Sequence, residues 1–179
     1  MLEVLGYIVL ALVVGVIGIL VYASTRPDAF SIKRSAVIAA PAERIFPLIA
    51  SLKSMNTWNP FVEPDPNIKI AYSGPDSGKG AAHTWSGNSK VGEGRIEITE
   101  ATPSSRVALQ LDMYKPMKAR NAVEFTLQPN GNATLVTWMM SGQQPLMAKV
   151  MNLFIDCDRM VGSSFEKGLA SLKTIAEKA

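Results

Sequence analysis

The hydrophobic and polar pattern changes character once along the chain, and sharply. From Val4 to Ala23 the twenty residues VLGYIVLALVVGVIGILVYA carry no charge, and at about 1.5 Å rise per residue a helix of that length crosses a ~30 Å hydrocarbon core. The pattern predicts one transmembrane helix inside a 1–25 anchor. A cleaved signal peptide is the competing reading, because Val21-Tyr22-Ala23 has the small-residue spacing of a cleavage site. Against it, Glu3 precedes the run with no Lys or Arg, and the run outlasts the ~7–15 residues of a signal sequence. The Ala11/Gly15 pair is too common in apolar twenty-mers to predict helix pairing.

Beyond the anchor, the short stretch Ser24–Ala29 reaches at most about 20 Å, so a 26–179 domain is expected close to the bilayer. Alternation predicts a strand over Phe30–Ile38. Ala40-Pro41-Ala42-Glu43 then opens a helix with Ile45, Phe46, Ile49 and Leu52 on one face. Asn59-Pro60 and Glu63–Pro66 end helical structure. Further strands are expected at Ile68–Tyr72, Ala81–Ser86, Gly94–Glu100, Arg106–Met113, Asn121–Gln128 and Thr134–Met140. Pro129-Asn130-Gly131-Asn132 marks a tight hairpin between the last two. From Pro145 apolar residues recur every three or four positions at Val150, Phe154, Cys157, Val161, Phe165, Leu169, Leu172 and Ala176. They predict one amphipathic helix to the C-terminus, with a break expected near Gly162.

Composition narrows the class. After residue 25, 66 of the 154 residues are apolar, enough for one globular core and too many for disorder. Cys157 and His83 are the single residues of their types, which excludes a disulfide scaffold and a Cys/His zinc site. No other metal or cofactor motif is found. With 18 basic against 15 acidic side chains and no basic run, nucleic-acid binding is not expected. Arg26, Lys33, Arg34 and Arg44 follow the apolar run and none precedes it. That asymmetry predicts a single-pass membrane protein with its domain on the cytoplasmic face.

Trp58-Asn59-Pro60-Phe61, Asp65-Pro66, Tyr72-Ser73-Gly74-Pro75, Thr84-Trp85-Ser86-Gly87, Gly92-Glu93-Gly94 and Phe165-Glu166-Lys167-Gly168-Leu169 resemble the polyketide cyclase/dehydrase and lipid-transport branch of the START-like (SRPBCC) superfamily. The resemblance runs from about Phe30 to Glu177. It implies an α+β helix-grip domain, in which a curled antiparallel sheet wraps a long C-terminal helix around an apolar cavity. It does not imply a reaction, since carriers, sensors and cyclases share that fold.

No catalytic constellation is assigned. His83 shares a strand face with Ala81 and Trp85. A histidine hydrogen-bonded within the sheet or lying at its edge is the expectation, with ligand contact or acid/base work as the alternative. Cys157 falls on the apolar helix stripe, as an inert buried thiol would. Asp156 and Asp158 are two apart on a helix and diverge, and Glu63 and Asp65 read as solvated loop charges. Ser73–Gly80 lacks the first Gly and the Ser/Thr of a phosphate loop. Asn132-Ala133-Thr134 is a glycosylation acceptor only in a secretory lumen.

The apolar faces carry the remaining signal. Leu109, Leu111 and Met113 share one face, Val123, Phe125 and Leu127 another, Ile96 and Ile98 a third, and Val136, Trp138 and Met140 a fourth. Seven of the nine methionines lie from Met113 onward, and Met adapts to irregular apolar shapes. The candidate cavity lining is His83, Trp85, Ile96, Ile98, Leu109, Leu111, Met113, Val123, Phe125, Trp138, Phe154 and Phe165. The expected function is a membrane-anchored binding module for a lipid-like, isoprenoid or aromatic ligand. The alternative is a cyclase/dehydratase-type enzyme using His83 with Arg34 or Tyr114, and a plainly packed core is the third possibility.

Overall fold

The computed structural model describes residues 2–154 and 156–178, so the outer limits of the two expected units, Met1 and Ala179, lie outside the described residues. Helix α1 covers Leu2–Ser24, and its apolar side chains from Val4 to Tyr22 are exposed. Strand β1 (Ala29–Ile38) follows, then the short helices α2 (Ala42–Ala50) and α3 (Leu52–Met55). Strands β2 (Lys69–Ser73), β3 (Ala82–Ser86), β4 (Glu93–Thr102), β5 (Arg106–Lys115), β6 (Ala119–Asn130) and β7 (Ala133–Gln143) come next. Helices α4 (Leu146–Met151) and α5 (Cys157–Lys178) complete the chain.

All seven strands form one antiparallel sheet in the order β1-β7-β6-β5-β4-β3-β2. Sequential hairpins build β2 to β7, and β1 returns beside β7, so that α2 and α3 bridge the two sheet edges. Register shifts at Glu93/Gly94 and near Thr99 in β4 locally increase twist and help the sheet curl. The curl grips α5, whose Phe165, Leu169, Leu172 and Ala176 are buried. This is the expected α+β helix-grip fold. The β6–β7 hairpin closes through Gly131 at φ +60°, with Asn130 paired to Ala133. A glycine at the first central position suits a two-residue turn that matches strand twist.

Several expectations need correction. The predicted C-terminal helix is two helices, the first ending at Met151 and the second starting at Cys157, with no break at Gly162. Asp156 causes the restart, because its Oδ1 accepts the Arg159 N–H at 2.9 Å and so satisfies one free donor of the first turn. Phe154 is consequently 74% exposed and Cys157 only half-buried. Gly162 lies within continuous helix, where a Cβ would collide with the Arg34 guanidinium. Asp65 is buried, not solvated: it accepts the Asn67 N–H at 3.0 Å and the Asn88 N–H at 2.6 Å. Glu63 is paired with Lys167, and Asp158 with Arg34.

Candidate functional site

Side-chain alternation sends one face of β3 to β7 toward α5, but that face is not uniformly packed. In the ladder between β4 and β5, Ile98 lies opposite Leu109 and Ile96 opposite Leu111. Ile98 and Leu109 are fully enclosed in the core, with Leu127 and Val136 at the same end of β6 and β7. One ladder step away, Ile96 and Leu111 wall a cavity of about 290 Å³. The boundary between core and cavity therefore runs across the strands.

The candidate residues divide accordingly. His83, Trp85, Ile96, Leu111, Met113, Val123, Phe125, Trp138 and Phe165 line the cavity. Ile98 and Leu109 belong to the packed end, and Phe154 lies on the outer surface, away from the cavity. Pattern reading missed Met55, Asn59, Phe61, Val62 and Ile68, which come from α3 and the irregular segment after it, and Lys90, Val91 and Asn121. Met140 and Val161 also line it; both sat on apolar stripes already recognised and were legible there.

Aromatic rings of the lining pack on one another and on Trp58. Trp138 stacks on Phe165 with centroids 4.2 Å apart and planes 7° from parallel. Trp58 meets Trp138 and Phe125 edge-on at 5.7 and 5.9 Å, and Phe61 meets Trp138 at 6.1 Å. Two glycines make room for this arrangement. A Cβ at Gly94 would run into the Trp85 ring, and one at Gly168 would press on Trp138 and Pro60.

Polar groups are few. His83 is 5% exposed and its Nδ1 has no partner. Its ring sits between Tyr72 and Trp85, at 5.5 and 5.9 Å. Burial pulls its pKa down to about 4, against an opposing contribution from the Thr84 backbone; the imidazole is neutral at physiological pH. Trp138 Nε1 is likewise buried without a partner, whereas Trp85 Nε1 donates to Val91 O and Trp58 Nε1 to Leu48 O. His83 and Lys90 are the ionisable groups on the wall. Arg34 is held between Asp158 and Glu166 at 2.9 and 2.8 Å, and Tyr114 is exposed; neither reaches the cavity. Among the described residues no cluster of His, Cys, Asp or Glu is fit to hold a metal ion.

The family described as polyketide cyclase / dehydrase and lipid transport matches residues 29–177. No curated protein matches the sequence. Protein MLL2253 from Mesorhizobium loti is similar in fold, with a TM-score of 0.62 at 14% identity, covering 84% of this chain and 98% of that one. Aha1 from Colwellia psychrerythraea superposes with a TM-score of 0.59 at 20% identity over 83% and 96% of the two chains. CalU16 from Micromonospora echinospora gives 0.54 at 18% identity over 82% and 74%.

Proposed function

Because the chain belongs to the polyketide cyclase / dehydrase and lipid transport family, we propose that it binds an apolar, lipid-like, isoprenoid or aromatic ligand in the cavity under α5. The observation that carries this reading is a space of about 290 Å³ walled by aliphatic and aromatic side chains, with no carboxylate on its surface. Apolar area would supply the affinity, and the few polar groups would orient one end of the ligand. A neutral His83 with no carboxylate beside it on the wall suits recognition better than proton transfer.

Leu111→Trp and His83→Ala test the reading in the full-length chain, with a fluorescent fatty-acid or isoprenoid analogue as probe. Filling the cavity should weaken binding sharply, while losing the histidine should change affinity by less than about tenfold. Turnover of a substrate by the wild-type chain that His83→Ala abolishes would favour an enzyme, and binding indifferent to both variants would mean a packed core.

The proposal includes anchorage. Helix α1 is long and apolar enough to cross a bilayer, and its most apolar stretch of 18 residues is not buried in the protein. Arg26, Lys33, Arg34 and Arg44 after it support a domain on the cytoplasmic face. The chain should fractionate with membranes and resist high-salt extraction; protease protection of the domain from the cytoplasmic side, or a mature chain starting at Ser24, would refute the orientation or the anchor.

A further inference from the structure

A second hollow, about 1200 Å³, lies outside the cavity between the β5–β6 turn and the α4–α5 segment. The two hollows share Asn121, Met140 and Val161, so only one layer of side chains separates them. Around the outer groove large apolar side chains face outward: Met117 is 51% exposed, Met147 66% and Phe154 74%, and Leu146, Met151 and Met160 are exposed nearby. An apolar patch of this kind outside a membrane span marks a contact surface.

What covers it is indicated by how α1 meets the domain. Helix α1 packs against α4, and Ala23 near its end is fully buried. The connecting segment is fastened to the same place: Gln144 N–H donates to Asp28 O at 2.7 Å, and the Asp28 carboxylate pairs at 2.5 Å with Lys149, itself 5% exposed. Met147 and Met151 thus lie on the helix held against α1, and Phe154 follows directly after it. Lys118 and Arg120 line the groove beside Asp28, Asp156 and Asp158; Arg120 is paired with Asp112, Asp28 with Lys149 and Asp158 with Arg34, so the groove carries no strong charge of either sign.

We infer that the α4–α5 face rests on the leaflet into which α1 inserts, and that the groove is the passage by which an apolar ligand moves between that leaflet and the cavity. Asn121, Met140 and Val161 form the gate. Methionine is suited to it, since its unbranched thioether repacks around a passing shape. The inference rests on the binding and anchorage proposed above.

The test uses the full-length chain in bilayers of phosphatidylcholine and phosphatidylglycerol, with the double variant Met147→Asp/Phe154→Asp. Both positions are exposed, so the charges leave the core intact. Uptake of the fluorescent analogue from the bilayer should slow by about tenfold or more, while its equilibrium affinity in detergent stays within about twofold. Phe154→Trp in bilayers with brominated acyl chains should show quenching beyond that of the wild-type tryptophans. An unchanged uptake rate, or the absence of added quenching, overturns the inference and leaves the binding reading standing. Loss of detergent affinity in the double variant would also overturn it, placing these residues in the binding site itself. A wild-type chain that takes up nothing in detergent defeats the binding reading, and the passage with it.

Discussion

Replacing His83 by leucine should flatten part of the acid sensitivity of the fold. A histidine in the unfolded chain takes up its proton near 6.5, while burial holds the folded one to about 4. Between those values the unfolded state binds more protons, so stability is intact above about pH 6.5 and is lost as the pH falls toward 4. The gap corresponds to roughly 3 kcal/mol at pH 4, or about 6–12 °C in thermal midpoint for a chain of this size. Carboxylates contribute in the same direction, because Lys149, Lys53 and Lys115 hold Asp28, Asp76 and Glu93 below their ordinary range. They are present in both proteins, so the informative quantity is the wild-type midpoint minus that of His83→Leu, followed by circular dichroism in detergent from pH 7.5 to 4. His83→Leu should match or exceed wild type at neutral pH, since it also removes the unpartnered Nδ1. Below pH 6.5 its advantage should grow. Parallel decline of the two proteins would refute the reasoning and mean that the His83 ring is hydrated in the folded state.

Phe165→Ala should cost about 3 kcal/mol in denaturant unfolding, the lower part of the large-to-small range, because one side of the ring already faces open space while the other stacks on Trp138. A loss below about 1 kcal/mol would mean that α5 does not press this ring onto the sheet. Asp28→Ala should lower the thermal midpoint more than Lys149→Met does, since the first leaves an ammonium group buried without its counter-ion and the second removes the charge while retaining an apolar stem. The reverse order would show that Lys149 reaches water.

The strands were legible because a half-buried sheet imposes period-two alternation, and β1 to β7 all start or end within three residues of the pattern. The depth of the cavity was not legible. Alternation places Ile96 and Ile98 on one face without saying which of them has a partner across the gap; that depends on how closely α5 approaches, a tertiary quantity. Phe154 was misplaced because periodicity counts spacing and overlooks a cap: Asp156 with the Arg159 N–H stops the count and restarts the helix. Asn59, Phe61 and Val62 had no periodic signal, since they sit in an irregular segment held to the sheet by the buried Asp65 and its bonds to Asn67 and Asn88. Lys90 and Asn121 are polar, and a search for apolar lining passes over them.

Gly94 and Gly168 touch the site from behind. A methyl group at Gly168 would act as a shim, pressing on Trp138 and Pro60 and changing the space the pocket encloses with every residue of the lining unchanged, whereas at Gly94 it would also meet the Asp112 carbonyl and strain the β4–β5 ladder. Ligand size would then be written in residues that never meet the ligand. Two chains of this family with identical linings would then enclose different spaces, and a design wanting a smaller pocket would begin with Gly168→Ala.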